Sequence, residues 1–198
     1  MGRLWLAGAA WLCLAGVAWA VTPLDYTRAT LEQTRSIVDS TRTHDEKLNA
    51  LEALLKTFLD TDTMGRAALE QHWSKLSAAQ QKEFLSLFRE LFQRTYVQKL
   101  LLFERPDFGY VGEERLPGGT ARVDTKIITP RDEFAVTYQM RPDGDHWLAT
   151  DIKIEDLSLT TNFRHQLDRL LAKSSMEDVL ARMRKKYGPS GKGTEDDL

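Results

Sequence analysis

The chain has 198 residues, 42% of them hydrophobic and 28% charged, which fits one globular domain and argues against wholesale disorder. Lys plus Arg number 27 against 29 Asp plus Glu, a formal charge of −2, so a mainly electrostatic nucleic-acid binder is not expected.

Arg3 precedes an uncharged run from Leu4 to Val21 that contains Ala18-Trp19-Ala20, followed by Thr22-Pro23. A basic start, an apolar stretch and a small-x-small site predict a secretory signal peptide, residues 1–20, cut after Ala20. An uncleaved anchor is the alternative, but the run falls slightly short of the ~20 residues that a spanning helix needs. Cys13 lacks the small-residue site that would precede a lipoprotein cysteine. It is also the only cysteine, so cleavage leaves a chain with no disulfide, thiol nucleophile or Cys-ligated zinc. Cleavage also removes Arg3 and brings the formal charge to −3.

Residues 24–42 read as a helix with Leu24, Leu31 and Val38 on one stripe. Thr43 and Glu46 have capping-box spacing and open a second helix with Leu48, Leu51, Leu54, Leu55 and Phe58. Asp60-Thr61-Asp62-Thr63 is a cap cluster before a short helix from Met64 to about Trp73. Ser77 with Gln80 caps the most periodic segment. There Phe84, Leu87, Phe88, Leu91, Phe92, Tyr96, Leu100 and Phe103 recur at helical steps until Pro106. From Ser77 to Glu104 that helix would be roughly 40 Å long.

The period then changes to two. Residues 107–116 carry Phe108 and Tyr110 in alternation, and Pro117-Gly118-Gly119 turns the chain. Ala121, Val123, Thr125 and Ile127 share the next face, opposite Arg122, Asp124 and Lys126. After Pro130-Arg131-Asp132 come Phe134, Val136, Tyr138 and Met140. After Pro142-Asp143-Gly144-Asp145, alternation puts Leu148, Thr150, Ile152 and Ile154 on one side. Four strands with short turns predict an antiparallel meander with one apolar face. Two helices follow, one with Leu159, Phe163, Leu167, Leu170 and Leu171. The other has Met176, Val179, Leu180, Met183 and Tyr187 after a Ser174-x-x-Glu177 cap. Residues 188–198 read as a disordered tail, leaving a single domain over 21–187.

No G-x-S-x-G elbow, P-loop, H-E-x-x-H or G-x-G-x-x-G occurs. His44, His72, His146 and His165 are scattered without metal-ligand spacing. Asp151 has an enzymatic reading as a buried general base. Strand alternation instead places it opposite Ile152, solvated or paired with a cation such as Lys126. Arg182, Arg184, Lys185 and Lys186 read either as a docking patch for anionic headgroups or an acidic partner, or as cations at a helix C-terminus; the second is favoured. The aromatic stripe from Phe84 to Phe103 suits a closed core or a ligand cavity, and periodicity does not separate the two.

Several segments carry a resemblance. They are Phe58-Leu59-Asp60 with Met64 and Ala68-Leu69-x-x-x-Trp73, and Gln80, Phe84, Phe88, Leu91 and Tyr96 along the long helix. Trp147-x-x-x-Asp151-Ile152 is another. The most specific is Ile154-Glu155-x-Leu157-Ser158-Leu159, followed by Asn162-Phe163-Arg164-x-Gln166. Together these resemble the MlaC-type (toluene-tolerance) periplasmic lipid-carrier family, auxiliary components of ABC transport systems with a branch associated with hopanoid synthesis. The resemblance spans nearly all of 24–187. Glu70 and Asp156 stand where the family usually has glycine, at positions that look like backbone turns.

The resemblance implies an α+β fold: a four-stranded antiparallel meander wrapped by about six helices, with an apolar pocket between the layers. It implies a non-enzymatic periplasmic carrier of phospholipid or a related lipid, serving outer-membrane lipid asymmetry. Such a carrier exchanges cargo with an inner-membrane ABC transporter complex and an outer-membrane lipoprotein complex. It needs no catalytic residue, metal or cofactor, the bound lipid being cargo, and no nucleic acid. Chosen by helix or strand face, the expected lipid-binding residues are Phe88, Leu91, Phe92, Tyr96, Val123, Phe134, Val136, Tyr138, Ile152, Ile154, Leu159, Phe163 and Leu167. Two other readings stay open. One is a small cone-fold isomerase or hydratase using Asp151 and a tyrosine. The other is a lipid-free periplasmic adaptor with a fully packed interior.

Overall fold

Local capping sets most helix starts. The computed structural model describes residues 21–101 and 106–188. The expected signal peptide, Phe103 and Glu104, and the tail beyond Gly188 lie outside these residues. Helix α1 (Pro23–Asp39) begins with the Thr22 hydroxyl accepting from the Asp25 N–H at 3.0 Å. It buries Leu31 and Val38, and also Thr27, Thr30 and Thr34. The Thr30 and Thr34 hydroxyls donate to the Tyr26 and Thr30 carbonyls at 3.0 and 2.9 Å, so these polar side chains are satisfied within their own helix. The Thr43–Glu46 capping box starts α2 (His44–Phe58). Asp60 caps α3 (Thr61–Leu69). That helix stops short of Trp73 because Glu70 takes a positive φ of 39°, and a 3₁₀ turn, Glu70–Lys75, follows.

The Ser77–Gln80 box starts α4 (Ala78–Phe92). The expected single long helix is interrupted here: a π-helical turn, Gln93–Val97, leads into a final short turn, α5 (Gln98–Leu100). A π turn widens the helical repeat and so rotates the next turn about the axis. Helix α6 spans Leu159–Leu171 and α7 spans Met176–Tyr187. The cap of α7 is Ser175 with Asp178, one residue later than the expected Ser174 with Glu177. The turn ending α6 continues through Lys173, whose N–H donates to the Leu170 carbonyl, and Ser175 is the residue in extended conformation.

The sheet has five strands in sequential antiparallel order, one more than expected: β1 (Asp107–Arg115), β2 (Ala121–Ile128), β3 (Glu133–Asp143), β4 (His146–Ile154) and β5 (Leu157–Ser158). The fifth strand exists because Glu155 and Asp156, at φ 50° and 65°, make a tight two-residue hairpin. A second departure lies in β4. Tyr138 faces Ile152 and Gln139 faces Asp151, but Met140 faces Ala149, so β4 carries an extra residue. That bulge reverses the parity. Trp147 and Ala149, not the expected Leu148 and Thr150, are therefore the buried residues beyond it. The helices cover one face of the sheet, with α6 also packed on α3 and α7 on α4. The main core runs from Phe58, Met64 and Leu69 through Phe84–Phe92 to the sheet and α7.

Candidate ligand cavity

Three cross-strand rows line up on the helix-covered face: Val123–Tyr138–Ile152, Thr125–Val136–Ile154, and Phe108–Ile127–Phe134. Residues directly opposite in antiparallel strands share a face, so these rows form an almost wholly apolar floor. The helices do not close on all of it. A cavity of about 290 Å³ remains between the floor and α1, α2, α4, α5 and the first residue of α6. Its roof is Thr30, Leu31 and Thr34 from α1, Leu55, Phe58 and Leu59 at the end of α2, and Phe92, Tyr96, Lys99 and Leu100 beyond the middle of α4.

Burial varies around the cavity. Phe58, Leu59, Phe92, Val136 and Tyr138 are buried, whereas Tyr96, Leu100, Ile127, Phe134, Ile152 and Ile154 are half-buried and Lys99 is exposed. The mouth therefore lies where β2 ends, β3 begins and α5 stops. Phe58 and Tyr138 meet edge to face at 5.4 Å on the buried side. Burial pushes the Tyr138 phenol up to about 12, against the opposing pull of its Thr125 hydrogen bond, so this wall carries no charge at ordinary pH. Lys99, 5.7 Å from the Tyr96 ring centroid, is the one charged side chain among the described lining residues. No carboxylate, imidazole or thiol joins it among them.

Of the residues expected from sequence to bind lipid, the structure brings Phe92, Tyr96, Phe134, Val136, Tyr138, Ile152, Ile154 and Leu159 together around this space. Phe88, Leu91, Val123, Phe163 and Leu167 lie elsewhere, in the packed core, and do not line it. Phe163 sits among the rings of Phe88, Phe92 and Tyr96 at 5.1, 6.5 and 6.1 Å. Sequence reasoning misses the lining from α1 and α2, along with Lys99, Leu100, Phe108 and Ile127. Leu31, Leu55, Phe58, Leu100, Phe108 and Ile127 are all legible as apolar-face residues. Thr30 and Thr34 give no such signal, because their burial depends on hydroxyls bonded back to the helix.

Asp151 lies on the sheet face opposite Ile152. Its carboxylate accepts from the Ser158 hydroxyl at 2.6 Å and the Thr160 N–H at 3.1 Å, pinning the start of α6 to β4. Lys126 pairs with Glu133 instead. The basic end of α7 is partly neutralised, with Arg184 donating to Glu83 at 2.6 and 2.8 Å. Arg94 donates to the Lys186 and Gly188 carbonyls at that helix end. His72 pairs with Asp168 and His146 with Asp143. No group of three or more metal-ligating side chains occurs among the described residues. No described helix is long and apolar enough to cross a membrane.

A meander sheet roofed by helices over apolar space places this chain in the class of folds that enclose a ligand between two layers. It belongs to the MlaC protein family, whose match covers residues 26–185. Its fold is similar to that of the phospholipid-binding protein from Ralstonia solanacearum, solved in complex with a phospholipid. The TM-score is 0.73 at 15% identity, over 82% of this chain and 95% of that one. No curated protein is a match for the sequence.

Proposed function

We propose that this protein carries a phospholipid or a related lipid through the periplasm, between an inner-membrane ABC transporter complex and an outer-membrane complex. The observation that carries the reading is the cavity: about 290 Å³ of apolar space, with Lys99 at its mouth the one charged side chain among the described lining residues. Family membership and the phospholipid bound by the Ralstonia protein of the same fold support the choice of ligand. Two acyl chains hold about 30 methylenes, and exposing them to water costs on the order of 24 kcal/mol at ~0.8 kcal/mol each. A carrier has to offer nearly as good a solvent as the bilayer, and this lining does. If a methylene takes about the volume of a water, ~30 Å³, the resting cavity accepts on the order of ten of them. The walls must therefore part to admit a whole lipid. The π-helical turn at Gln93–Val97 contains the roof residue Tyr96, leads directly to Lys99 and Leu100, and is the natural place for that movement.

The other two readings fare worse. Asp151, the base that an isomerase or hydratase would need, faces away from the cavity, and a lipid-free adaptor has no use for unfilled apolar space. The test is to extract purified protein with organic solvent and identify the extract by mass spectrometry. Phospholipid at a stoichiometric level is expected. Lipid-free protein that also takes none from phosphatidylethanolamine–phosphatidylglycerol vesicles refutes the proposal.

A further inference from the structure

We propose that the β4–β5 hairpin is a lip over which lipid tails pass between the cavity and the outside, with Leu157 as the residue they cross. This rests on the lipid-carrier reading. Leu157 sits opposite Ile154 in the register, and Ile154 sits opposite Val136. The three side chains therefore share one face of the sheet and form a single row. Val136 and Ile154 line the cavity. Exposure climbs along the row from 2% at Val136, through half-buried Ile154, to 73% at Leu157. Apolar surface thus runs unbroken from the cavity floor to solvent, and Leu157 extends it by about one strand spacing, ~5 Å, past the cavity wall.

The hairpin is built to hold Leu157 there. The Ala135 N–H donates to the Glu155 carboxylate at 2.5 Å, and the Glu155 N–H returns to the Ala135 carbonyl at 3.0 Å. Behind the hairpin, Asp151 holds Ser158 and the Thr160 N–H. Glu155 and Asp156 both adopt positive φ, a conformation that costs residues with a Cβ. Strain and fixed hydrogen bonds together keep a large aliphatic side chain in water, with no burial gained inside the protein. Contact with a passing acyl chain supplies the missing partner. Val111, 63% exposed, is the contrasting case: it falls at a bulge in β1, outside the strand register and off the cavity lining.

The experiment follows a pyrene-labelled phospholipid moving from phosphatidylethanolamine–phosphatidylglycerol vesicles to delipidated protein, and back. Alongside, equilibrium occupancy is measured by mass spectrometry and folding by melting temperature. Leu157→Ser should slow both directions about tenfold while leaving occupancy and melting temperature near the parent values. Leu157→Met should restore the rate, and Val111→Ser should leave it unchanged. Transfer by Leu157→Ser at the parent rate overturns the lip. So does a loss of occupancy that arises wholly from faster release, which would make Leu157 part of the resting site. Parent protein that takes up no lipid at all overturns the carrier reading itself, which separates the two failures.

Discussion

The Asp60 carboxylate accepts the Nε–H of Arg141 at 2.7 Å, joining the cap of α3 to β3 on the far side of β4. The same carboxylate accepts the Thr63 N–H and hydroxyl at 2.9 and 2.7 Å, and the Asp60 N–H donates to the Ala149 carbonyl at 2.9 Å. One buried residue thus stitches the helical layer to the sheet, next to Leu59 in the cavity wall.

Asp60→Ala should cost about 1–2 kcal/mol, because it removes a cap and one of the two carboxylates on Arg141, which is partly exposed and keeps Asp143 at 3.1 Å. Asp60→Asn should cost less. Burial alone would raise the Asp60 carboxyl, but the hydrogen bonds from Thr63 and Arg141 outweigh it and hold the group below the usual range. A carboxylate depressed in the folded state stabilises the fold above its unfolded value of ~3.9, and that contribution fades as pH falls through the lower folded value. Urea titrations at successive pH values should show a shallower acid limb for Asp60→Asn than for the parent. Parallel limbs would mean that the pair contributes nothing to acid sensitivity.

Val136 and Val123 share a face of the sheet but have different neighbours. Val136 borders the cavity, whereas Val123 is fully buried in packed core. Val136→Trp can place its ring in open space, so it should leave the melting temperature close to the parent's while lowering the lipid recovered by extraction. Val123→Trp has no such space and should lose at least the 1–3 kcal/mol typical of overpacking, roughly. Equal destabilisation by both would place Val136 in ordinary core.

This pair also marks where reading the sequence stops. Period and capping residues suffice to place most helix starts, four strands and the face each presents up to the bulge in β4, but not the π turn that interrupts the long helix. They do not say which apolar residues meet one another and which meet empty space. Val123 and Val136 carry the same alternation signal and differ only in what the helices above them leave uncovered. Phe163 reads as cavity wall for the same reason, although neighbouring rings enclose it. The bulge in β4 is illegible because one extra residue reverses parity without changing composition. The fifth strand hides behind Glu155-Asp156, a pair with none of the glycine or asparagine that usually announces such a turn.

Glu70 and Asp156 hold positive φ values of 39° and 65° where a glycine would be unstrained. Left-handed backbone costs an L-residue roughly 1–2 kcal/mol, less for Asp, and glycine gives part of that gain back as unfolded-state entropy. Asp156→Gly should therefore stabilise the protein by about 0.5 kcal/mol. Glu70→Gly should give about 0.5–1 kcal/mol, reduced slightly by loss of the exposed Arg164 pair at 3.3 Å. Chemical denaturation checks both. A destabilised Glu70→Gly would show that the Arg164 contact outweighs the strain.

Phe163 packs against Phe92 and Tyr96, and both of those also line the cavity. Truncating it to alanine should cost delipidated protein about 3–5 kcal/mol, as for other buried aromatics. The void so made adjoins the cavity through those two rings, so a bound acyl chain can enter it. Lipid binding stabilises only the folded state, and a ligand that fills more space does so more strongly. The rise in melting temperature on loading should therefore be larger for Phe163→Ala than for the parent, even though the variant starts from a lower value. Phe163→Asp is the control: a carboxylate among the rings of Phe88, Phe92 and Tyr96 must be hydrated or neutralised and offers an acyl chain no apolar void, so it should lose stability and rise no more on loading than the parent. An equal rise for Phe163→Ala and the parent would show that the ring cluster seals the core from the cavity.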